Sequence, residues 1–540
     1  MDEALNRIQT FHDLGLTLFG FYNQKIAFQD SENPSEKVKY IDLLKASHQV
    51  GNFLQNEFGL KHQEVVATLL PNIWQYFPIH VGISEVGGIL TGLSPQFTPF
   101  EISHQLRDSD AVIAFVGPEF LPSVFKVVHE CPELRAIVVI GDLKQSTKRF
   151  PVPIYLWNDI TRHPSTPPIP KTPIDPNEDL CWLPYSSGTT GLPKGVMHTH
   201  RGFMLHLKAQ MKHTNEVANL AYEMPISDYH PSFLPVYHAM GFFGMLSAIA
   251  KGQTIILIKK YSFKKLLELT EKYKFSAIMG APSILHQFVK DPTVKKYDVS
   301  SIKVLGSGGS KIDDQTIKEI EGKFPHLERI GQGYGMTEAV TGIVMATRRK
   351  DEPIGSVGIA LNGVEAKIIN PETEQECKPG EVGELRAKID YIMKGYWKNE
   401  KATKESFDKN GYYKTGDMAV MDEKGYVMIK ERLKELIKVK SFQVPPAEVE
   451  AVLMMNPKIK DAAVIGIPNF DYGEVPKAFV VPQDNCTLTV EEVKDFVAER
   501  LSHYKHLKGG VEFIEAIPRT ASGKIQRRIL REKTKLISKL

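Results

Sequence analysis

Short runs of apolar residues recur along this 540-residue chain, each followed by a segment with helical spacing. Val65-Val-Ala-Thr-Leu-Leu, Ala111-Val-Ile-Ala-Phe-Val and Ala136-Ile-Val-Val-Ile show no polar–apolar alternation, which is the pattern of strands covered on both faces. Ahead of the first run, residues 37 to 59 read as a helix entered from a short strand. Trp74 to Leu90 reads as a helix rich in small residues, and a further helix carries His104 and Leu106. Strands alternating with helices build βαβ units and largely parallel sheets. A second series holds Thr254-Ile-Ile-Leu-Ile, Ala277-Ile-Met-Gly and Ile302-Lys-Val-Leu-Gly. Six prolines in residues 163 to 176 make an extended connector between the two series.

From 353 to 430 the pattern changes to short strands with glycine turns, such as Gly383-Glu-Leu-Arg and Gly425-Tyr-Val-Met-Ile. The C-terminal part has its own signals: a helix around Glu448 to Met455, the strand Ala462-Ala-Val-Ile-Gly and a helix from Val490 to Leu501. The expected fold is therefore α/β. A large N-terminal domain of mainly parallel αβ sheets with a small β-rich lobe spans 1–432, and a separate small α+β domain spans 433–540. The charged segment from Arg432 to Lys434 marks the boundary.

Composition narrows the function. Apolar residues at 42% and charged residues at 24% suit a chain with substantial cores. A net charge of +3 argues against a nucleic-acid-binding surface as the main business. Cys131, Cys181, Cys377 and Cys486 are far apart, so neither a disulfide framework nor a thiolate zinc site is expected, which fits a reducing compartment. His198 and His200 are too close for the usual zinc spacings. No secretory signal and no transmembrane helix are expected. Ser538-Lys539-Leu540 reads as a peroxisomal address, which makes an import receptor the expected partner and the peroxisome the expected location.

The sharpest local feature is Tyr185-Ser-Ser-Gly-Thr-Thr-Gly-Leu-Pro-Lys-Gly195, preceded by the strand-like Leu180-Cys-Trp-Leu-Pro. Glycines let the backbone approach a ligand closely, and clustered N–H groups and hydroxyls make an anion-binding concavity with a lysine to meet the charge. A triphosphate fits that description. The spacing is not the Walker pattern, because Pro193 stands five residues after Gly188. On the residues alone, a solvated glycine-rich turn fits as well.

The run Ser-Ser-Gly-Thr-Thr-Gly-Leu-Pro-Lys-Gly-Val resembles the signature of the adenylate-forming superfamily. That group includes the acyl-CoA synthetases, the plant 4-coumarate–CoA ligases and the beetle luciferases. The likeness continues, in the family's order, through Leu234-Pro-Val-Tyr-His238, Gly306-Ser-Gly-Gly-Ser310, Gly331-Gln-Gly-Tyr-Gly-Met-Thr-Glu338, Tyr413-Lys-Thr-Gly-Asp417, Arg432-Leu-Lys-Glu-Leu-Ile-Lys438 and Pro518-Arg-Thr-Ala-Ser-Gly-Lys524.

The resemblance implies that ATP activates a carboxylic acid to an acyl-adenylate, which coenzyme A then takes as a thioester, with Mg²⁺ as the metal. It implies that Ser186, Ser187, Gly188, Thr189, Thr190 and Lys194 hold the phosphates. Gly309, Ser310, Lys311, Gln332, Gly333 and Tyr334 would surround the adenine, with Thr337 on the α-phosphate and Glu338 on Mg²⁺. Asp417 and Arg432 would take the ribose, and Lys434 would be the hinge. Lys524 would contact the attacking carboxylate and the α-phosphate. Lys438 is placed with the nucleotide and, with Lys440, serves the coenzyme A step, for which Lys260 and Ser441 complete the set. His238, Met240, Phe243, Gly244 and Thr341 would line the acid pocket.

Ser441 stands where the family usually has a glycine that lets the backbone pass the coenzyme A tail. Met240 stands where coumarate ligases often have a tyrosine for a phenolic hydroxyl, so a fatty or other apolar acid is expected. Rival readings are a luciferase-like oxygenase acting on its own adenylate, a module that loads a carrier-protein thiol, and a catalytically silent nucleotide-binding protein.

Overall fold

The computed structural model describes residues 7–143, 151–186, 192–214, 227–309, 312, 314–347, 352–432, 436–440, 442–483, 486–518 and 525–537. Ser187, Gly188, Thr189, Thr190, Ser310, Lys311, Lys434, Ser441, Lys524 and Ser538-Lys539-Leu540 lie outside these described residues.

A nine-stranded sheet forms the first layer. It runs from Gly395–Tyr396 through Lys194–Thr199, Leu180–Trp182, Ile89–Gly92, Val65–Leu69, Ile113–Val116 and Ala136–Val139 to Ile154–Leu156, with Tyr185–Ser186 pairing off Lys194–Thr199. From Leu180–Trp182 outward every pairing is parallel, as continuous apolar runs require. A second, five-stranded sheet pairs Ala277–Gly280, Val304–Ser307 and Arg329–Gly335 in parallel. Val364–Ile369, Gly383–Ile389, Tyr413–Met421 and Val427–Arg432 form a four-stranded antiparallel sheet. The strand that follows, Ile437–Val439, belongs to the sheet built on Ile459–Asn469 and Gly473–Pro482.

One sequence expectation needs correction. The helix expected over Trp74 to Leu90 spans Tyr76–Glu85, and Ile89–Gly92 is a fully buried strand. Gly87 adopts φ +76°, where only glycine sits without strain, and this turns the chain from helix into sheet. An apolar run alone does not distinguish buried helix from buried strand.

Under the sheet lies an aromatic core. Phe242 stacks on Phe77 at 5.0 Å and on Trp182 at 5.2 Å, and Trp182 stacks on His198 at 5.6 Å. Histidines share this core. Burial pushes His80 down to about 3, His198 to about 4 and His206 to about 3, so all three rings are neutral at pH 7. His80 Nε2 donates to the Cys181 carbonyl at 2.9 Å.

In the unfolded chain the same rings protonate near about pH 6.5. Between that value and the depressed native values the unfolded chain binds more protons, so stability is complete above the unfolded value and is lost as pH falls toward 4. The thermal unfolding midpoint should therefore drop between pH 7 and pH 5, and less steeply in His80→Gln. An equal slope in both proteins would contradict a neutral buried His80.

Candidate functional site

Hairpin register positions the phosphate end of the site. Lys194 pairs with Ser186 in an antiparallel ladder, and Val196 pairs with Tyr396 on the opposite edge. Ser186, Lys194 and Tyr396 are thereby neighbours, and the Lys194 ammonium lies 5.3 Å from the Tyr396 ring centre. Glu338 reaches this point from the 3₁₀ turn Thr337–Ala339, which follows the strand Arg329–Gly335. Its Oε1 accepts from the Ser186 hydroxyl at 3.0 Å and from the Tyr396 hydroxyl at 2.8 Å. Tyr396 is buried, and both desolvation and the Glu338 charge raise its pKa, so its phenol stays protonated and donates.

The Thr337-Glu338 turn is held from behind. His198 Nε2 donates to the Thr337 carbonyl at 2.8 Å, and the Met393 amide donates to the Glu338 carbonyl at 2.8 Å. Val340 has φ 63° and ψ −58°, with the Thr341 amide donating to the Ala339 carbonyl at 2.6 Å. This is a γ-turn at a β-branched residue, a strain of about 1–3 kcal/mol that persists only where the surroundings enforce it. It folds the chain back so that the Thr341 hydroxyl meets His206 Nε2 at 2.6 Å and Gln210 Nε2 at 3.2 Å.

At the other end, the Tyr334 hydroxyl donates to Asp417 Oδ2 at 2.6 Å, and Asp417 pairs in register with Arg432. Asp417 is buried. Gln332, also buried, accepts from the Ile312 amide at 2.8 Å, and its Nε2 has no partner among the described residues. Gly309 takes φ +77° two residues past the end of the neighbouring strand Val304–Ser307, whose Ser307 pairs with Gln332.

The expected acid-pocket residues divide. His238 caps the helix Ala239–Ala250, and its ring lies against Tyr237 at 4.7 Å. The ring keeps open surface on the cleft although protein surrounds it, and desolvation, then the Lys505 charge, pushes it down to about 4. Met240 and Gly244, one helical turn apart, are half-buried on one face of that helix. Phe243 instead turns inward, buried against Phe203 at 5.0 Å and His206 at 5.0 Å, so it backs the pocket rather than lining it.

Two lining residues escaped the sequence reading. A Cβ on Gly306 would sit 1.9 Å from the Met279 sulfur, and one on Gly308 would sit 3.2 Å from the Met240 sulfur. Met279 is 40% exposed on the edge strand of the five-stranded sheet, where it pairs in register with Gly306. Tyr396 and His198 were missed for want of any local signal.

The C-terminal domain reaches the same cleft. The hairpin of Ile437–Val439 and Phe442–Val444 carries exposed Lys438 and Lys440. Lys440 has φ 55°, donates its amide to the Tyr472 carbonyl at 2.7 Å and holds its ammonium 4.7 Å from the Tyr472 ring centre. Gln443 Nε2 donates to the Gly309 carbonyl. Lys260 is exposed on the large domain.

Comparison with known proteins accords with this geometry. The AMP-binding enzyme family description matches residues 21–397, and the AMP-binding enzyme C-terminal domain description matches residues 448–524. A probable 4-coumarate–CoA ligase 1 of Dictyostelium discoideum is 35% identical over 493 residues, covering 88% of this chain and 87% of that protein. A 4-coumarate–CoA ligase 2 of Nicotiana tabacum is 35% identical, covering 92% and 89%. Among solved structures, the anthranilate CoA ligase AuaEII in complex with anthranoyl-AMP superposes with a TM-score of 0.70 at 26% identity, over 98% of both chains.

Loss of a hydrogen bond to a charged group costs about 1.5–3 kcal/mol. Tyr396→Phe should therefore slow acid-dependent pyrophosphate exchange by about 10- to 100-fold, with the melting temperature little changed. Exchange within about twofold of wild type would remove Tyr396 from the site.

Proposed function

The chain belongs to the AMP-binding enzyme family, and from that premise we propose that it is an AMP-forming acid–CoA ligase. The observation that carries the reading is the Glu338 carboxylate, clamped by the Ser186 and Tyr396 hydroxyls at the mouth of the phosphate hairpin. In the first step a carboxylate oxygen of the substrate bonds to the α-phosphorus of ATP, and the bond to pyrophosphate breaks. In the second, the coenzyme A sulfur bonds to the acyl carbon, the thiol proton passes to solvent, and AMP leaves with the electrons of the broken C–O bond.

The residues divide this work between them. Lys194 faces the phosphates from the hairpin, and Lys524 answers the charge that grows at the α-phosphorus. Thr337 is held by His198 in place for the α-phosphate. Tyr334 and Gln332 flank the adenine, and Asp417 offers the carboxylate for the ribose. The Glu338 donor set fits Mg²⁺, which is held by one or two carboxylates plus substrate phosphates rather than by an all-protein cage. When bound, that ion neutralises phosphate charge and orients the leaving group. Neutral His238 stands at the entrance to the acid pocket.

The acid is proposed to be aromatic. Met240 lies against Gly308 and Met279 against Gly306, thioethers beside glycines that suit an apolar acid. Relatives named as 4-coumarate–CoA ligases favour a planar acid over the fatty chain expected from Met240 alone. Import into peroxisomes through Ser538-Lys539-Leu540 rests on that tripeptide and would be tested by the location of a fluorescent fusion with and without it.

Pyrophosphate release screened over fatty, aromatic and branched acids tests the substrate class. Unsubstituted cinnamic-type acids should lead, and turnover confined to long-chain acids would overturn this part of the proposal. Lys524→Ala should abolish acid-dependent pyrophosphate exchange. Lys440→Ala should slow thioester formation and spare exchange, and equal loss of both steps in that variant would contradict the assigned division.

A further inference from the structure

The buried face between the two domains carries an ion-pair network that the adenylation machinery does not use. Lys505, on the small domain, is 4% exposed. Its ammonium donates to Glu101 Oε1 at 2.7 Å and to Glu448 Oε1 at 2.7 Å. Glu101 belongs to the large domain, where it is the third residue of the helix Pro99–Asp108, and its Oε2 accepts the Thr98 amide at 2.8 Å. The same Oε2 accepts the Ser502 hydroxyl from the small domain at 2.6 Å. Glu448 is 1% exposed, and its Oε2 has no hydrogen-bond partner among the described residues. Two carboxylates thus converge on one buried ammonium, and their proximity holds Lys505 in its charged form.

A buried ion pair is costly to form and costly to break by removing one member. Here the members are distributed unevenly. Lys505, Glu448 and Ser502 travel with the small domain, whereas Glu101 and Thr98 stay with the large one. Any other orientation of the small domain leaves Glu101 with its Thr98 amide and water, and Lys505 with Glu448 alone. The Glu101–Lys505 pair therefore exists in one orientation only. A contact present in one of two states shifts the equilibrium toward that state.

The rest of the interface identifies the orientation. Phe442, on the Lys440 hairpin, stacks on Tyr504 at 4.1 Å and 12°, and Tyr504 directly precedes Lys505. Gln443 of the same hairpin donates to Gly309 beside the adenine wall. Leu192, just past the phosphate loop, and Phe100 pack on the small domain's core. With Lys505 docked on Glu101, the hairpin that carries Lys440 is presented to the nucleotide cleft.

We propose that Glu101 and Lys505 are positioning residues for thiol transfer: their pairing latches the small domain in the orientation that presents the Lys440 hairpin. The inference rests on the proposed assignment of Lys440 to the coenzyme A step. Glu101→Gln keeps the length of the side chain and an oxygen for the Thr98 amide while removing the charge. It should slow single-turnover thioester formation from preformed acyl-adenylate by about tenfold or more and leave pyrophosphate exchange within about twofold of wild type.

A readout free of catalysis uses spin labels at Lys126→Cys and Asp495→Cys, both exposed sites, in a Cys377→Ser, Cys486→Ser background. The wild-type pair should give one dominant interdomain distance, and Glu101→Gln and Lys505→Met should each broaden or shift it. Unchanged distances in both variants, or equal slowing of both half-reactions in Glu101→Gln, would overturn the latch. Failure of the unmodified enzyme to exchange pyrophosphate with any acid would instead overturn the proposed function, while the distance measurement still decides the latch.

Discussion

Everything at the phosphate end of this molecule depends on one carboxylate oxygen, Glu338 Oε1, held at once by Ser186 and Tyr396. The three residues are far apart in sequence and come from three different elements. Their meeting needs the Lys194–Ser186 register, the edge pairing of Val196 with Tyr396, and the γ-turn at Val340 that terminates the Thr337–Ala339 turn. A slip of one residue in either ladder would send Ser186 or Tyr396 to the opposite face of the sheet. The neutral His198 completes this support from the core side: burial against Trp182 disfavours its charged form, and the uncharged ring still donates from Nε2 to Thr337.

Much of this was legible in the sequence, and the reasons differ by region. The runs at Val65, Ala111 and Ala136 became parallel strands because a strand covered on both faces has no polar position to spare. The antiparallel lobe from 353 to 430 was readable from its glycine turns. The Trp74–Leu90 run misled because a buried helix and a buried strand share one composition, and the Gly87-Gly88 break was the signal that separated them. In the site, the residues within motifs announced themselves by local pattern. Tyr396 and His198 did not, because their roles depend on partners 58 and 139 residues away. Met279 could have been suspected only by knowing that its strand pairs in register with the one that carries Gly306.

The domain interface adds a second kind of constraint. The apolar contacts of Phe100 and Leu192 and the stack of Phe442 on Tyr504 are indifferent to charge. The Lys505 network is not, and it joins the small domain to the large one where the Lys505 charge also bears on His238. Electrostatics at the interface and at the entrance are therefore coupled through a single ammonium. A chain that must run two chemical steps in one cleft needs such orientation-dependent contacts to favour each arrangement in turn.

In the proposed reaction a carboxylate oxygen of the substrate bonds directly to the α-phosphorus of ATP. The most direct test supplies an acid with oxygen-18 in its carboxyl group, together with ATP and coenzyme A, and weighs the products by mass spectrometry. AMP carrying one oxygen-18 and unlabelled pyrophosphate are the expected products. Unlabelled AMP, or ADP with the label in inorganic phosphate, would contradict the proposed reaction.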